Sequence, residues 1–243
     1  MKLVFCLPGD YFSKNWLSAW NDTVKSLHRN KIEYETVNAY TPIVYNCRNW
    51  LLGGRGRPDK TFKPFNGLVE YDWIIWIDND CIWTPEDLGR LISNNDHKIV
   101  SGFYMQYDNK TYAQAIKFKT KETGDICRHF LLKETGDITH LHWIERNQLD
   151  TNSDRIKLGA SGMGFMAVKA GVFESMEFPW FEPINHEHEN SFLSEDVAFC
   201  HKASKLGYTI WGDPKIQIKH EKTWLLSGDE LYGTQPKPVL IIK

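Results

Sequence analysis

The chain has 243 residues, 42% of them hydrophobic, with a formal net charge of -2. Such a length and apolar content suit one sizeable globular α/β domain and exclude a disordered chain. The near-neutral balance gives no reason to expect bulk nucleic-acid binding, although Arg55 and Arg57 could form a local basic patch. The cysteines Cys6, Cys47, Cys81, Cys127 and Cys200 are scattered and never spaced as C-x-x-C. That argues against a disulfide framework and a zinc ribbon, and suits a reducing compartment. The opening MKLVFCLPGD has too short an apolar run for a signal peptide and reads as a first strand. No stretch reaches the roughly 20 apolar residues a membrane helix needs, so a cytoplasmic location is the expectation.

In chain order, Lys2 to Leu7 predicts the first strand, closed by Pro8-Gly9. Trp16, Leu17, Trp20, Val24 and Leu27 then recur at helical spacing behind Ser13, a suitable N-cap. Ile32 to Val37 returns as a strand, and Ile43, Cys47 and Leu51 suggest a second helix ended by Gly53-Gly54. This alternation predicts a parallel, Rossmann-like sheet. Gly53 to Phe65 is basic and rich in glycine and proline, so an exposed, mobile loop is expected.

Trp73 to Ile77 is a continuous apolar run, long enough for a strand buried on both faces. It stops abruptly at Asp78-Asn79-Asp80. Two acids directly after a buried strand cost desolvation unless something positive lies between them. In an open α/β sheet the carboxyl ends of the strands are where ligands bind. Residues two apart on extended chain point the same way, so Asp78 and Asp80 can converge on one divalent cation. Oxygen ligands suit Mg²⁺ or Mn²⁺. The plainer reading is a turn or capping cluster, because Asp and Asn favour turns.

Thr84-Pro85-Glu86-Asp87 has the order of a helix start, and Leu88, Leu91 and Ile92 continue it. Ile99 to Met105 and Tyr112 to Phe118 read as strands. From about Gly124 to Arg155 no period is clean. Two Thr-Gly-Asp turns flank Phe130 to Leu132, which suggests a hairpin insertion. Leu158 to Val168 is glycine-rich before a strand, and a short helix around Ala170 to Ser175 follows. Ser194 is placed to cap a helix through Val197, Cys200 and Leu206, closed by Gly207. Ile210-Trp211 and Ile216 to Ile218 are late strands, and the tail from Gly228 is expected to be peripheral. Without a linker or repeat, residues 1–243 read as a single domain, with halves 1–105 and 106–243. The H-x-H pairs His140/His142 and His186/His188 lack cysteine partners at zinc spacing, and the run Asn185 to Asn190 reads as a solvated loop.

Taken together, the segments resemble the GT-A fold of nucleotide-sugar-dependent glycosyltransferases, family-2-like, over roughly Lys2 to Lys222. Asp78-Asn79-Asp80 resembles that fold's DxD motif, and Ile99 to Tyr104 resembles the strand that follows it. Gly159 to Phe165 (GASGMGF) resembles the glycine-rich acceptor-side segment. Ser194-Glu195-Asp196 resembles the acidic motif carrying the catalytic base, and Lys219-His220-Glu221 the place of a histidine metal ligand. The resemblance implies a mostly parallel central sheet flanked by helices, with a smaller mixed region on the acceptor side. It implies a nucleotide diphosphate sugar as donor and Mn²⁺ or Mg²⁺ held by Asp78, Asp80 and His220. Asp196 would be the base of an inverting displacement, supported by Glu195. Arg48, Pro8 and Asn79 would lie on the nucleotide side, and Gly162, Met163 and Gly164 on the acceptor side. The acceptor hydroxyl could belong to a glycan, protein, lipid or modified nucleic acid.

Two other readings stay open. Ile77 to Ile82 also resembles the strand-end motif of haloacid-dehalogenase-like phosphatases, in which Asp78 would be the nucleophile. A non-catalytic sugar- or nucleotide-binding module would keep Asp80 and His220 but show no turnover.

Overall fold

The computed structural model describes residues 1–56, 58–93, 96–106, 110–118, 130–134, 137–186 and 191–222. The first βαβα stretch forms as its pattern predicts: β1 (Lys2–Pro8), α1 (Lys14–Arg29), β2 (Glu33–Ala39) and α2 (Val44–Leu51). The Ser13 hydroxyl accepts the Trp16 N–H at 3.1 Å, capping α1. The buried face of α1 is Trp16, Ala19, Thr23 and Leu27, whereas Leu17 points outward and is 49% exposed. Next come β3 (Trp73–Ile77), the two-residue β4 (Cys81–Ile82) and α3 (Pro85–Leu91). Thr84 and Asp87 form a reciprocal capping box at the start of α3.

The second half supplies β5 (Ile99–Phe103), β6 (Thr111–Phe118), β7 (Phe130–Glu134), β8 (Asp137–Glu145), β9 (Ile156–Leu158), β10 (Ala160–Ser161) and β11 (Phe165–Lys169). It ends with β12 (Ile184–His186), β13 (Ser191–Leu193), α4 (Glu195–Lys205), β14 (Ile210–Gln217) and β15 (Lys219–His220). The two late strands expected around Ile210 and Ile218 are mostly one, β14, with an irregularity between Gly212 and Gln217 that accommodates Pro214. Within the segment expected to be an insertion, β7 and β8 pair antiparallel; residues 119–129 and 135–136 lie outside the described residues. So do Arg57, residues 187–190, the tail from 223, and the side chains of His140, His142 and His186.

The central sheet has the order β2-β1-β3-β11-β5-β14-β9. β1 is parallel to β2 and β3, and β14 is parallel to β5. β11 runs antiparallel to both of its neighbours, β3 and β5, and β9 antiparallel to β14. The sheet is therefore Rossmann-like and mostly one-directional, with a reversed strand at its middle and another at its edge. A second sheet, β10-β6-β8-β7, forms the smaller mixed region.

Both faces of the central sheet are covered. Leu3, Phe5, Trp73, Ile75 and Ile77 join one core with Trp16 and Leu27 of α1 and Leu88 and Leu91 of α3. Val4, Cys6, Ile74 and Trp76 alternate onto the other, with Cys47 and Leu51 of α2 and Val197, Phe199 and Ala203 of α4. Each buried Val, Leu, Ile or Phe among them contributes about 1.5–3 kcal/mol by leaving water. Double burial explains why β3 has no polar alternation. Cys6, Cys47, Cys81 and Cys200 are buried thiols.

The loop over 53–65 is less exposed than its composition suggests. Gly54 and Pro64 are buried, and Phe62 packs edge-on against Phe178 at 5.7 Å. Apolar residues among the glycines anchor it to the core. No described helix is long and apolar enough to cross a membrane.

Candidate active site

The acidic turn at the end of β3 is held from several sides. The Asp78 N–H donates to Gly164 O at 3.0 Å, tying the turn to the start of β11. Trp16 Nε1 donates to the Asp78 carbonyl at 3.2 Å, and Cys81 N–H to the same oxygen at 3.1 Å. Asn79 Nδ2 donates to Tyr11 O at 2.9 Å. Beyond the turn β4 pairs with β15, setting Cys81 opposite His220. Glu221 N–H then donates to Asp80 O at 2.7 Å. Residues separated by 140 positions thus meet at one sheet end.

Asp80 Oδ2 lies 3.0 Å from His220 Nε2 and 2.8 Å from Lys222 Nζ. His220 Nδ1 lies 2.7 Å from the Met105 carbonyl, which can only accept, so that nitrogen carries the proton. This leaves Nε2 turned toward Asp80, the orientation a metal-binding histidine needs. Burial alone would push the Asp80 carboxyl up, but bonds and charge from His220 and Lys222 hold it down at about 2. Asp80, Cys81 and His220 bring ligand atoms within 4.8 Å of one another. Burial, followed by the charges of Asp78 and Asp80, pushes the Cys81 thiol well above its ordinary range. For a hard cation such as Mn²⁺ or Mg²⁺ the suitable donors in this group are the carboxylate oxygen and the imidazole nitrogen, since thiolate suits softer metals. That pair fits a divalent cation, and an ammonium, that of Lys222, already stands against both atoms.

Asp78 is not part of this group. Its two carboxylate oxygens accept from Arg48 Nη1 at 3.2 Å and Nη2 at 3.3 Å, a two-pronged ion pair. The same guanidinium gives Nε to Glu195 Oε1 at 3.1 Å and lies over the Trp76 ring at 5.6 Å. Burial opposes the Arg48 charge, yet the carboxylates of Asp78 and Glu195 outweigh it and raise its pKa. Glu195 is itself pushed up, by burial first and Asp196 next, against the opposing pull of Arg48. Arg48 is 3% exposed, and its guanidinium bonds to the carboxylates of both Asp78 and Glu195.

Asp196 follows at the N-terminus of α4. The Ser194 hydroxyl does not cap the helix; it donates to Asp196 Oδ1, which also accepts the Val197 N–H at 2.8 Å. Asp196 Oδ2 enters neither bond.

The glycine segment has a packing role. A Cβ at Gly162 would lie 2.2 Å from Tyr104 Oη, and one at Gly164 would lie 2.8 Å from both Cys81 Sγ and Tyr104. Tyr104 Oη accepts the Gly164 N–H at 2.9 Å, and its ring meets that of His220 edge-on at 5.2 Å. Met163 is 1% exposed and belongs to the core. Pro8 is buried at the end of β1, opposite Ala39, and an added Cβ on the adjoining Gly9 would meet Asn79 at 2.7 Å.

The structure thus joins Asp80 with His220, and Asp78 with Arg48 and Glu195. Sequence reasoning missed Lys222 and Tyr104. Only the two-residue step from His220 to Lys222 along extended chain could have suggested the former.

No protein-family model matches the sequence, and no curated protein does. Among solved structures the fold is similar to that of A197 from STIV, with a TM-score of 0.53 and 14% identity over 93% of this chain and 97% of that one. GalNAc-T7 with UDP, GalNAc and Mn2+ superposes with a TM-score of 0.44 and 10% identity over 91% of this chain and 44% of that one. An inositol-1-phosphate CTP transferase from T. maritima does so at 0.38 and 10% identity over 90% and 87%. The first likeness shows the fold; the other two are too loose to bear on a reaction.

Proposed function

We propose that the chain is a divalent-metal-dependent glycosyltransferase of the GT-A type, moving a sugar from a nucleotide diphosphate sugar to an acceptor hydroxyl. The observation that carries this reading is the Asp80–His220 pair, with Nδ1 anchored on Met105 O, at the carboxyl end of a doubly buried strand. Asp80 and His220 would hold the ion, and the mixed oxygen and nitrogen donors suit Mn²⁺ better than Mg²⁺. When bound, the ion would neutralise charge on the diphosphate leaving group.

The remaining roles belong to Asp196, Glu195, Arg48, Pro8 and Asn79. Asp196 takes the proton from the attacking hydroxyl in a single inverting displacement, with Oδ1 oriented by Ser194 and Val197 and Oδ2 free to accept. Glu195 and Arg48 position it, since their buried bond ties the first turn of α4 to Asp78. Pro8 and Asn79 border the donor side. The phosphatase alternative is disfavoured because both oxygens of its nucleophile, Asp78, are held by Arg48.

The test is thermal denaturation with a panel of nucleotide sugars, in Mn²⁺ and in EDTA. One donor at about 100 times its dissociation constant should add about 2.7 kcal/mol, or on the order of 5–10 °C, only with metal. Asp196→Asn should keep that shift while turnover falls about 10²–10⁴-fold. A panel with no metal-dependent shift would remove the transferase reading. A shift without turnover in the parent chain would leave a binding module.

A further inference from the structure

Lys222 is the side chain that a simple metal site leaves unexplained. Its Nζ lies 2.8 Å from Asp80 Oδ2 and 2.7 Å from His220 Nε2, and those two atoms are 3.0 Å apart. Three polar atoms in a closed triangle have few ways to share protons. Nδ1 of His220 already carries one, given to Met105 O. One cation set against both Oδ2 and Nε2 can serve the two atoms at once. Lys222 is that cation, donating one N–H to each atom. With a single charge it makes the two contacts that a divalent ion would make.

We infer that Lys222 is a resident competitor for the divalent cation, occupying the Asp80–His220 pair when no metal is bound and leaving it when metal binds. The inference rests on the metal reading above and adds that the site is closed by the chain itself. Two cations cannot share two ligand atoms, since repulsion at such separations exceeds what either gains from the pair. The lysine stem can swing outward at low cost, because the Lys222 side chain is 37% exposed. Metal alone should therefore bind weakly. A donor diphosphate would offer the displaced ammonium a new anionic partner, so that metal and diphosphate favour each other's binding.

The experiment is titration with Mn²⁺ alone, free ion being read by electron paramagnetic resonance, on the parent chain, Lys222→Met and Lys222→Arg. If the ammonium closes the site about nine-tenths of the time, its removal should tighten Mn²⁺ binding about tenfold. Lys222→Arg, still cationic, should stay near the parent. Equal or weaker Mn²⁺ binding by Lys222→Met overturns the inference and leaves the metal reading standing. No Mn²⁺ uptake by any of the three overturns both. A second measurement needs no variant: acetylation of the Lys222 amine, followed by peptide mass spectrometry, should quicken when Mn²⁺ saturates the chain. An unchanged labelling rate would equally overturn the competition.

Discussion

Arg48 carries more of the site than its chemistry advertises. One buried guanidinium pairs with both Asp78 and Glu195, which come from different halves of the chain. Removing one partner of such a group leaves uncompensated buried charge, which costs about 3–5 kcal/mol. Arg48→Met should show that loss in urea denaturation, and Arg48→Lys should recover only part, because an ammonium cannot fork between two carboxylates. A loss under about 1 kcal/mol would mean that water already screens both acids. Asp80 and His220 were legible in the sequence because an acid after an apolar strand and a late histidine stand out locally. The duty of Arg48 was not, since its partners lie 30 and 147 positions away and many residues could have filled those places. Lys222 was hidden for a similar reason: a lysine near a chain's end reads as solvated until its neighbours are known.

At the scale of elements, the turn is only as well placed as the segment behind it. Gly162 and Gly164 let Tyr104 press close enough to support His220 and Cys81 from below. Gly162→Ala would put a methyl 2.2 Å from Tyr104 Oη. An overpacking cost of about 1–3 kcal/mol is expected, read by thermal or chemical denaturation. Tyr104→Phe in the same chain should return part of that loss despite giving up the Gly164 bond; strictly additive losses would show that the clash is relieved elsewhere. Caps and helices were plain from residue order, as Ser13 and Thr84 show. The pairing of β4 with β15 was not, because two-residue strands are too short to carry a period. Nor does the apolar run of β11 reveal its direction, since a strand buried on both faces looks alike read either way.

Across the whole molecule, two polar anchors stabilise separate parts of the sheet. Besides the Arg48 group, Asp213 on β14, 2% exposed, accepts from Arg90 on α3 at 3.0 Å and from Arg155, just before β9, at 3.2 Å. Arg155 also reaches Ser93 Oγ at 3.1 Å, joining the helix layer to the sheet edge. Arg155→Met should lower stability by about 1–3 kcal/mol while Mn²⁺-dependent donor shifts persist. Its effect should add to that of Arg48→Met within about 0.5 kcal/mol. Coupling well beyond that would join the two anchors through the sheet.

The reversed β11 has a consequence in time. It lies between β3 and β5, so those two strands are not joined into one sheet until residues 165–169 arrive. On a ribosome that means a wait of roughly sixty further residues, several seconds at ordinary elongation rates. During it, β3 and β5 each keep an apolar edge with unpaired amides, the condition under which nascent chains stick to one another. The Asp78 N–H gains its Gly164 partner only at the same moment. The ground under the acidic turn is made well before the strand that completes it.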